Sequence, residues 1–250
     1  MFLDIDMGNT RTKWRLRNDS VIVDRGIVNT GFGFKALEGC LGPYKSQVKV
    51  VWVVSVVGGK LDAELTEWIN GFFSVLPQFA QSCEQVGVVK NGYEVPAGLG
   101  VDRWLGLLAG YHLVGGACVI VSCGTAMTVD LLSGDGSHQG GYIAPGLASI
   151  FGSINSSLRL IQIDKERFSM GLLPGKGTDS AVFAGVSSMV TGVVENGIRQ
   201  LSGLGENNIQ LVLTGGDADS LALFYPQALL IPDLILDGLV YVMGRMSPME

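Results

Sequence analysis

An aspartate at the end of an apolar run, followed by a glycine turn and a lysine, can hold phosphate. In this chain those residues are Asp6, Gly8-Asn9-Thr10 and Lys13. Such a turn presents backbone N–H groups, and glycine lets phosphate oxygens approach the main chain. The carboxylate ahead of it can hold Mg²⁺ or its waters, and Lys13 adds a positive charge. A second turn of this kind, Gly124-Thr125, follows the apolar run Ala117 to Ser122. One such turn alone is more often a plain hairpin; two copies, one with a carboxylate, favour phosphates. Gly215-Gly216, after Leu211 to Thr214, is a third junction, either a tight strand-to-helix turn or an opening for a nucleoside.

The segment from Tyr93 to Trp104 is sharper. Gly98 and Gly100 lead into Val101-Asp102-Arg103, which places Asp102 and Arg103 at a helix start. An acid there is ordinarily an N-cap or first-turn residue. As a functional group, Asp102 can accept a hydroxyl proton and Arg103 can bind an anion. Other patterns fail. Gly31-x-Gly33-x-x-Ala36 follows a turn rather than a strand, and no acid ends the next strand. Gly171 to Lys176 has Met170 where a P-loop needs its first glycine, and Gly177 displaces the Ser or Thr. No Ser sits in a GxSxG elbow.

Composition narrows the classes further. The chain has 250 residues, 16% of them charged, with 36 glycines and a net charge of −6. Low charge and a high apolar fraction exclude disorder. The acidic balance argues against nucleic acid, which is bound by clustered Lys and Arg. The basic run Arg11 to Arg17 is interleaved with apolar residues and reads as the solvent face of a strand. The strongest apolar run, Val50 to Val57, is far short of the ~20 residues of a membrane span, and Asp4 and Asp6 stand where a signal peptide carries basic residues. A cytoplasmic protein is expected. Cys40, Cys83, Cys118 and Cys123 form no CxxC pair, and only His112 and His138 could join them, so buried reduced thiols are expected rather than zinc. Cys118 and Cys123, five apart on one strand, fall on opposite faces.

The elements that position these groups repeat. Phe2 to Asp6, Thr12 to Arg17 and Val21 to Val23 read as a three-stranded meander, followed by a helix at Phe34 to Leu41, a buried strand at Val48 to Val57 and a helix at Lys60 to Phe73. The pattern restarts with strands at Ala117 to Ser122, Met127 to Leu132 and Gly140 to Ala144. Helices follow at Leu147 to Leu158 and Ser180 to Leu201. A strand at Ile209 to Leu213, a helix at Asp217 to Phe224, an edge strand at Ala228 to Ile231 and a last helix at Asp233 to Met243 complete it. Leu3 to Thr10 lines up with Val119 to Ala126. The duplication implies two similar α/β lobes, 1–114 and 115–250, with a ligand cleft between them.

These residues match a family. Asp6-x-Gly-Asn9-Thr10-x-x-Lys13, Pro96-x-x-Leu99-Gly100-x-Asp102-Arg103-Trp104, Gly124-Thr125-Ala126-x-Thr128-x-Asp130 and Gly141-x-Ile143-x-Pro145-Gly146-Leu147 resemble, in order, the motifs of the type III pantothenate kinases. Thr214 to Ala218 extends the likeness, which runs to about residue 240. The resemblance implies two similar lobes of the actin-like ATPase (ribonuclease H-like) fold with an interlobe active-site cleft, usually in a homodimer. It implies ATP-dependent phosphorylation of pantothenate, the first step of coenzyme A synthesis, with Mg²⁺ as cofactor. By the family's pattern Asp6, Met7, Gly8, Asn9, Thr10, Arg11, Thr12, Lys13 and Thr125 hold ATP, and Asp102 is the general base. Tyr93, Gly100, Val101, Asp102, Arg103 and Thr178 surround pantothenate. Thr178 rests on the resemblance alone, because a Thr opening a helix is ordinarily an N-cap.

One position departs from the pattern. The family commonly has Asp where this chain has Ser122, and that Asp helps bind an activating K⁺ or NH₄⁺. An uncharged hydroxyl is a poorer ligand for a hard cation, so weakened or lost monovalent-cation dependence is expected. Two other readings stay open: a non-catalytic nucleotide-binding accessory or regulatory protein on the same fold, and a kinase of the same superfamily acting on a sugar or short acid. Asp6, Asp102 and Thr125 together argue against the first, since a pure binder needs no placed base.

Overall fold

A computed structural model of the chain describes residues 1–157, 163–164 and 167–244. The first half runs β1 (Phe2–Met7), β2 (Arg11–Asn18), β3 (Val21–Asn29), α1 (Lys35–Leu41), β4 (Val50–Ser55), α2 (Gly59–Phe73), β5 (Gln78–Phe79), β6 (Gln85–Val86), β7 (Val89–Lys90) and α3 (Val101–Val114). It continues with β8 (Cys118–Cys123), β9 (Ala126–Leu132), β10 (His138–Pro145), α4 (Leu147–Ser157), α5 (Thr178–Gly203), β11 (Gln210–Thr214), α6 (Ala218–Ala222), β12 (Leu229–Leu230) and α7 (Leu234–Met243). The expected end of α4 at Leu158 lies outside the described residues.

Two five-stranded sheets share one plan. Their orders are β3-β2-β1-β4-β5 and β10-β9-β8-β11-β12. In each, the first three strands are an antiparallel meander and the last two run parallel to the first. β5 and β12 are two residues long, and Gln78-Phe79 is too short to announce itself by alternation.

Two compact units contain these sheets. One comprises Met1–Val86, Tyr93–Ala109 and the described residues from Leu234 onward; the other comprises Gly87–Gly92 and Gly110–Asp233. This division differs from a single break at 114/115. The last helix joins the first unit because α7 packs on β1 and β4. Gly92 belongs with the second because its backbone lies against the His138 carbonyl, where any Cβ would overlap.

Strand alternation explains each core. In the first unit Leu3, Ile5 and Met7 point to one face, meeting Trp14, Leu16, Val51 and Val53, and Leu37, Leu65 and Ile69 of α1 and α2 cover them. Each large apolar side chain fully buried this way contributes about 1.5–3 kcal/mol. In the second unit Val119, Val121, Val129 and Leu131 meet Val186, Val190 and Val194 of α5. Gly197 lets that helix close on Val129, Leu131 and Val119. By length and composition α5 is apolar enough to cross a membrane, the one such helix among the described residues; here it lies on β8 and β9.

The other face of β1 and β2 corrects an expectation. Arg15 and Arg17 are not on a solvent face but are 3% and 5% exposed, and the Asp4 carboxylate between them is fully buried. Arg15 Nε and Nη2 donate to Asp4 Oδ2 at 3.2 and 3.1 Å, and Arg17 Nε donates to the same oxygen at 2.8 Å. The Arg17 guanidinium also lies over the rings of Phe2 and Trp52, 4.3 and 4.6 Å from their centroids. Alternation correctly marks this face as polar; the cover that α7 lays over it keeps it from water.

Candidate active site

The β1–β2 turn is held from outside the hairpin. Gly8 N–H closes it on the Arg11 carbonyl at 3.1 Å, and a Cβ on Gly8 would crowd that oxygen. Thr30, just past β3, donates its hydroxyl to the Gly8 carbonyl at 2.9 Å and its N–H to the Thr10 carbonyl at 3.0 Å. Its oxygen then accepts from Thr12 Oγ1 at 3.0 Å. Thr30 is absent from the sequence reading, and nothing near it in the chain signals the brace. Asn9, Thr10 and Arg11 are exposed, while the Met7 and Thr12 side chains are buried. Met7 belongs to the core and Thr12 to the brace, so any part they take in nucleotide binding falls to the backbone.

Asp6 is half-buried opposite Lys13, on the same face of the sheet as Asp4. Mg²⁺ in phosphoryl-transfer sites is commonly held by one or two carboxylates, with phosphates and waters completing the shell. A half-exposed carboxylate beside a glycine turn fits that donor set. Among the described residues no cluster of three or more His, Cys, Asp or Glu could hold a metal ion by itself.

Five expected residues come together at the start of α3. Asp102 sits in its first turn and accepts the Arg103 N–H at Oδ1, 2.8 Å away. A Cβ on Gly100 would stand 2.8 Å from that oxygen, so glycine leaves the carboxylate its place. The Gly100 carbonyl accepts from Trp104 N–H at 3.0 Å, and the Leu99 carbonyl accepts from Ser82 Oγ at 2.8 Å. Arg103 is buried, and its Nη1 donates to the Tyr93 hydroxyl at 2.6 Å with the guanidinium 5.4 Å from the ring centroid. Tyr93, Gly100, Val101, Asp102 and Arg103 thus form one cluster: a carboxylate at a helix N-terminus with an arginine oriented by a tyrosine. That pairing suits an alcohol whose other end is anionic.

Three glycine junctions, far apart in the chain, converge in the second unit. A Cβ on Gly146 would overlap the Gly124 carbonyl, and one on Gly215 would overlap the Cys123 backbone. Gly215 also has φ +97°, which other residues rarely adopt. Gly146 N–H donates to the Thr125 carbonyl at 3.1 Å, and Asp217 N–H to the Cys123 carbonyl at 3.1 Å. Between Cys123, Gly124, Gly146, Met170, Val190 and Asp217 lies a pocket of about 10 Å³, room for a single water. The Cys123 thiol is pushed up to about 12 by burial and then by the Asp217 charge, and burial alone takes Cys118 to about 12. Neither is a nucleophile near neutral pH. Thr125 is exposed at its turn, and Ser122 is half-buried between Thr128 and Thr214 on the flanking strands.

Comparison with known proteins now decides the family. The family model described as type III pantothenate kinase matches residues 2–200. A type III pantothenate kinase of Pseudomonas putida is 36% identical over 96% of this chain and 97% of its own length. One from Ectopseudomonas mendocina is 38% identical over 96% and 97%. The chain belongs to the type III pantothenate kinase family. Among solved structures, one assigned to the Baf family of transcriptional activators from Campylobacter jejuni aligns over 98% of both chains with TM-score 0.62 at 21% identity. The ethanolamine utilization protein EutJ of Carboxydothermus hydrogenoformans aligns over 96% of this chain and 89% of its own with TM-score 0.53 at 9% identity. These likenesses speak to the fold alone, and with the two matching sheets they make it the two-lobed actin-like α/β fold.

Within this type III pantothenate kinase fold, Thr178 lies in the other unit from the Asp102 cluster, exposed at the first position of α5. It is not the N-cap that its position suggests. Gly177 caps the helix, and Ser180 Oγ accepts from Gly177 N–H at 3.1 Å and donates to its carbonyl at 3.0 Å. Ser180 therefore leaves the Thr178 hydroxyl outside the capping arrangement.

Proposed function

We propose that this chain transfers the γ-phosphoryl group of ATP to the primary hydroxyl of pantothenate, giving 4'-phosphopantothenate in the first step of coenzyme A synthesis. The gathering of Asp102, Arg103 and Tyr93 on one helix start, in a chain of this family, carries the reading. Asp102 takes the hydroxyl proton as the alcohol oxygen bonds to the γ-phosphorus. The bond from that phosphorus to the β,γ-bridging oxygen breaks, and ADP leaves. Arg103, aimed by Tyr93, binds the pantothenate carboxylate; Gly100, Val101 and Thr178 complete that site. Residues 6–13 and Thr125 hold ATP phosphates. Asp6 is the protein ligand for Mg²⁺, which when bound neutralises charge on the transferring group. Ser122 makes K⁺ or NH₄⁺ activation weak or absent. The enzyme works in the cytoplasm as a homodimer, and neither nucleic acid nor membrane is a partner. A placed acid and a tyrosine-held arginine have no use in a purely accessory nucleotide binder.

An ADP-release assay with pantothenate, acetate and hexoses supplied separately tests the acceptor. Release should depend on pantothenate. Release driven only by acetate or a hexose would replace this reading with another kinase.

A further inference from the structure

The buried charges beneath β1 and β2 do more than neutralise one another. Arg15 spans two elements: Nε and Nη2 hold Asp4 of β1, while Nη1 donates to Asp237 Oδ1 at 2.5 Å and Nη2 to the Leu236 carbonyl at 2.8 Å, both in α7. Burial opposes its charge, but the Asp237 hydrogen bond and the Asp4 and Asp237 charges outweigh it and raise the Arg15 pKa above its ordinary value. One residue further along α7, Gly238 lies directly against the Leu105 backbone of α3, where a Cβ would overlap the Leu105 carbonyl. Leu105 is one helical turn from Asp102. A continuous path of close contacts thus runs from the strand bearing Asp6, through Asp4, Arg15, Asp237 and Gly238, to the helix bearing Asp102. Every member of it lies in the first unit.

We infer that Arg15, Asp237 and Gly238 are positioning residues that set the α3 helix, and with it the Asp102 carboxylate, relative to the Asp6 strand. This rests on the roles proposed above for Asp6 and Asp102. α7 acts as a spacer clamped at both sides, by Arg15 on one and by the Leu105 backbone on the other. An arginine suits that place because its planar fork holds two carboxylates and a carbonyl in fixed directions, which the single ammonium of lysine does not. Proton transfer and in-line attack are sensitive to such placement, whereas binding of ATP phosphates at the β1–β2 turn is much less so.

Three variants of the full-length protein, Asp237→Asn, Gly238→Ala and Asp102→Asn, test this by steady-state kinetics, direct ATP titration and thermal melting. Asp237→Asn keeps the shape and removes the charge at a side chain that is 45% exposed, so it carries the test even if Gly238→Ala does not fold. The expected result is a kcat for pantothenate phosphorylation lowered about tenfold or more in both α7 variants, with ATP Kd within about twofold of the parent. An Arg15→Lys variant should fall with them despite keeping the charge. Parental kcat in a folded Asp237→Asn protein would overturn the inference, as would kcat and ATP affinity declining by the same factor. Near-normal kcat in Asp102→Asn would instead strike the base assignment beneath it.

Discussion

The two sheets share a strand order, yet corresponding positions carry opposite chemistry. Met7 and Cys123 end the first strands, so Asp6 corresponds to Ser122 and Asp4 to Ile120. Across the hairpins the partners are Lys13 against Thr128, Arg15 against Asp130 and Arg17 against Leu132. The first copy thus sets two carboxylates and three cations on one face; at the same places the second has one carboxylate, hydroxyls and apolar side chains. The lone Asp130 is answered within its own sheet by His138 Nε2 at 3.1 Å, whereas Arg15 reaches 222 residues along the chain to Asp237. The turns differ too: residues 8–10 intervene between strands in the first copy and only 124–125 in the second. Gly146 presses against the shorter turn, and Gly215 against Cys123, the last residue of the strand that leads into it. The two sheets share one scaffold and use it differently, the first for charge and the second for close backbone approach.

The largest expected effect concerns the helices that follow the two sheets. α3 carries Asp102-Arg103 in its first turn, while α7 opens on Leu234 and packs on the first unit. Asp102→Asn keeps the shape and hydrogen-bonding reach of the side chain but removes the carboxylate proposed as base. We expect kcat to fall by about 10²–10⁴ with ATP affinity nearly unchanged, measured by single-turnover phosphorylation and nucleotide titration. A variant within a few-fold of the parent would leave the two helices alike in having no chemical role.

Next in size is the contrast between Asp4 and Ile120. Removing one partner of a buried ion pair costs about 3–5 kcal/mol, because the remaining charges cannot regain water. Asp4→Asn leaves Arg15 and Arg17 with a neutral neighbour and should lower unfolding free energy by that order in urea titration. Ile120→Val, at the matching place, should cost only about 0.5–1.5 kcal/mol. Equal losses at the two positions would mean that the charge contributes no more than packing.

How much of this was legible follows the same division. The glycine junctions could be read, because a backbone that must approach another backbone tolerates no Cβ, and Gly124, Gly146 and Gly215 stand beside small polar residues. Asp102 and Arg103 could be read because a glycine-rich lead into a helix is a local signal. The Arg15 cluster was misread. Alternation of Trp14 and Leu16 with arginines marks a polar face, and only the return of α7 converts that face into a buried one. Thr30 and Gly238 were invisible for a related reason: their partners lie across the fold rather than along the chain. The placing of α7 with the first unit could not be read either, because helix packing, not chain order, decides which sheet a segment covers.

The smallest effect tests the Asp6 and Ser122 pair. Ser122 sits in a row with Thr128 and Thr214, three hydroxyl-bearing residues side by side on adjacent strands. The Thr214 hydroxyl also lies 3.4 Å from the Pro232 carbonyl, to which it donates. Neutral oxygens alone hold a hard monovalent cation weakly, since the ion must shed water for ligands without net charge. The parent should therefore phosphorylate pantothenate at similar rates in K⁺, NH₄⁺ or a bulky organic cation. Ser122→Asp places a carboxylate among those hydroxyls, at the position matching Asp6, and should raise the rate several-fold in K⁺ or NH₄⁺ but not in the organic cation. A gain in all three salts would assign the effect to the added charge rather than to a bound ion. Strong K⁺ activation of the parent would mean that the hydroxyl row suffices, and that the second copy is less stripped of charge-handling function than its residues imply.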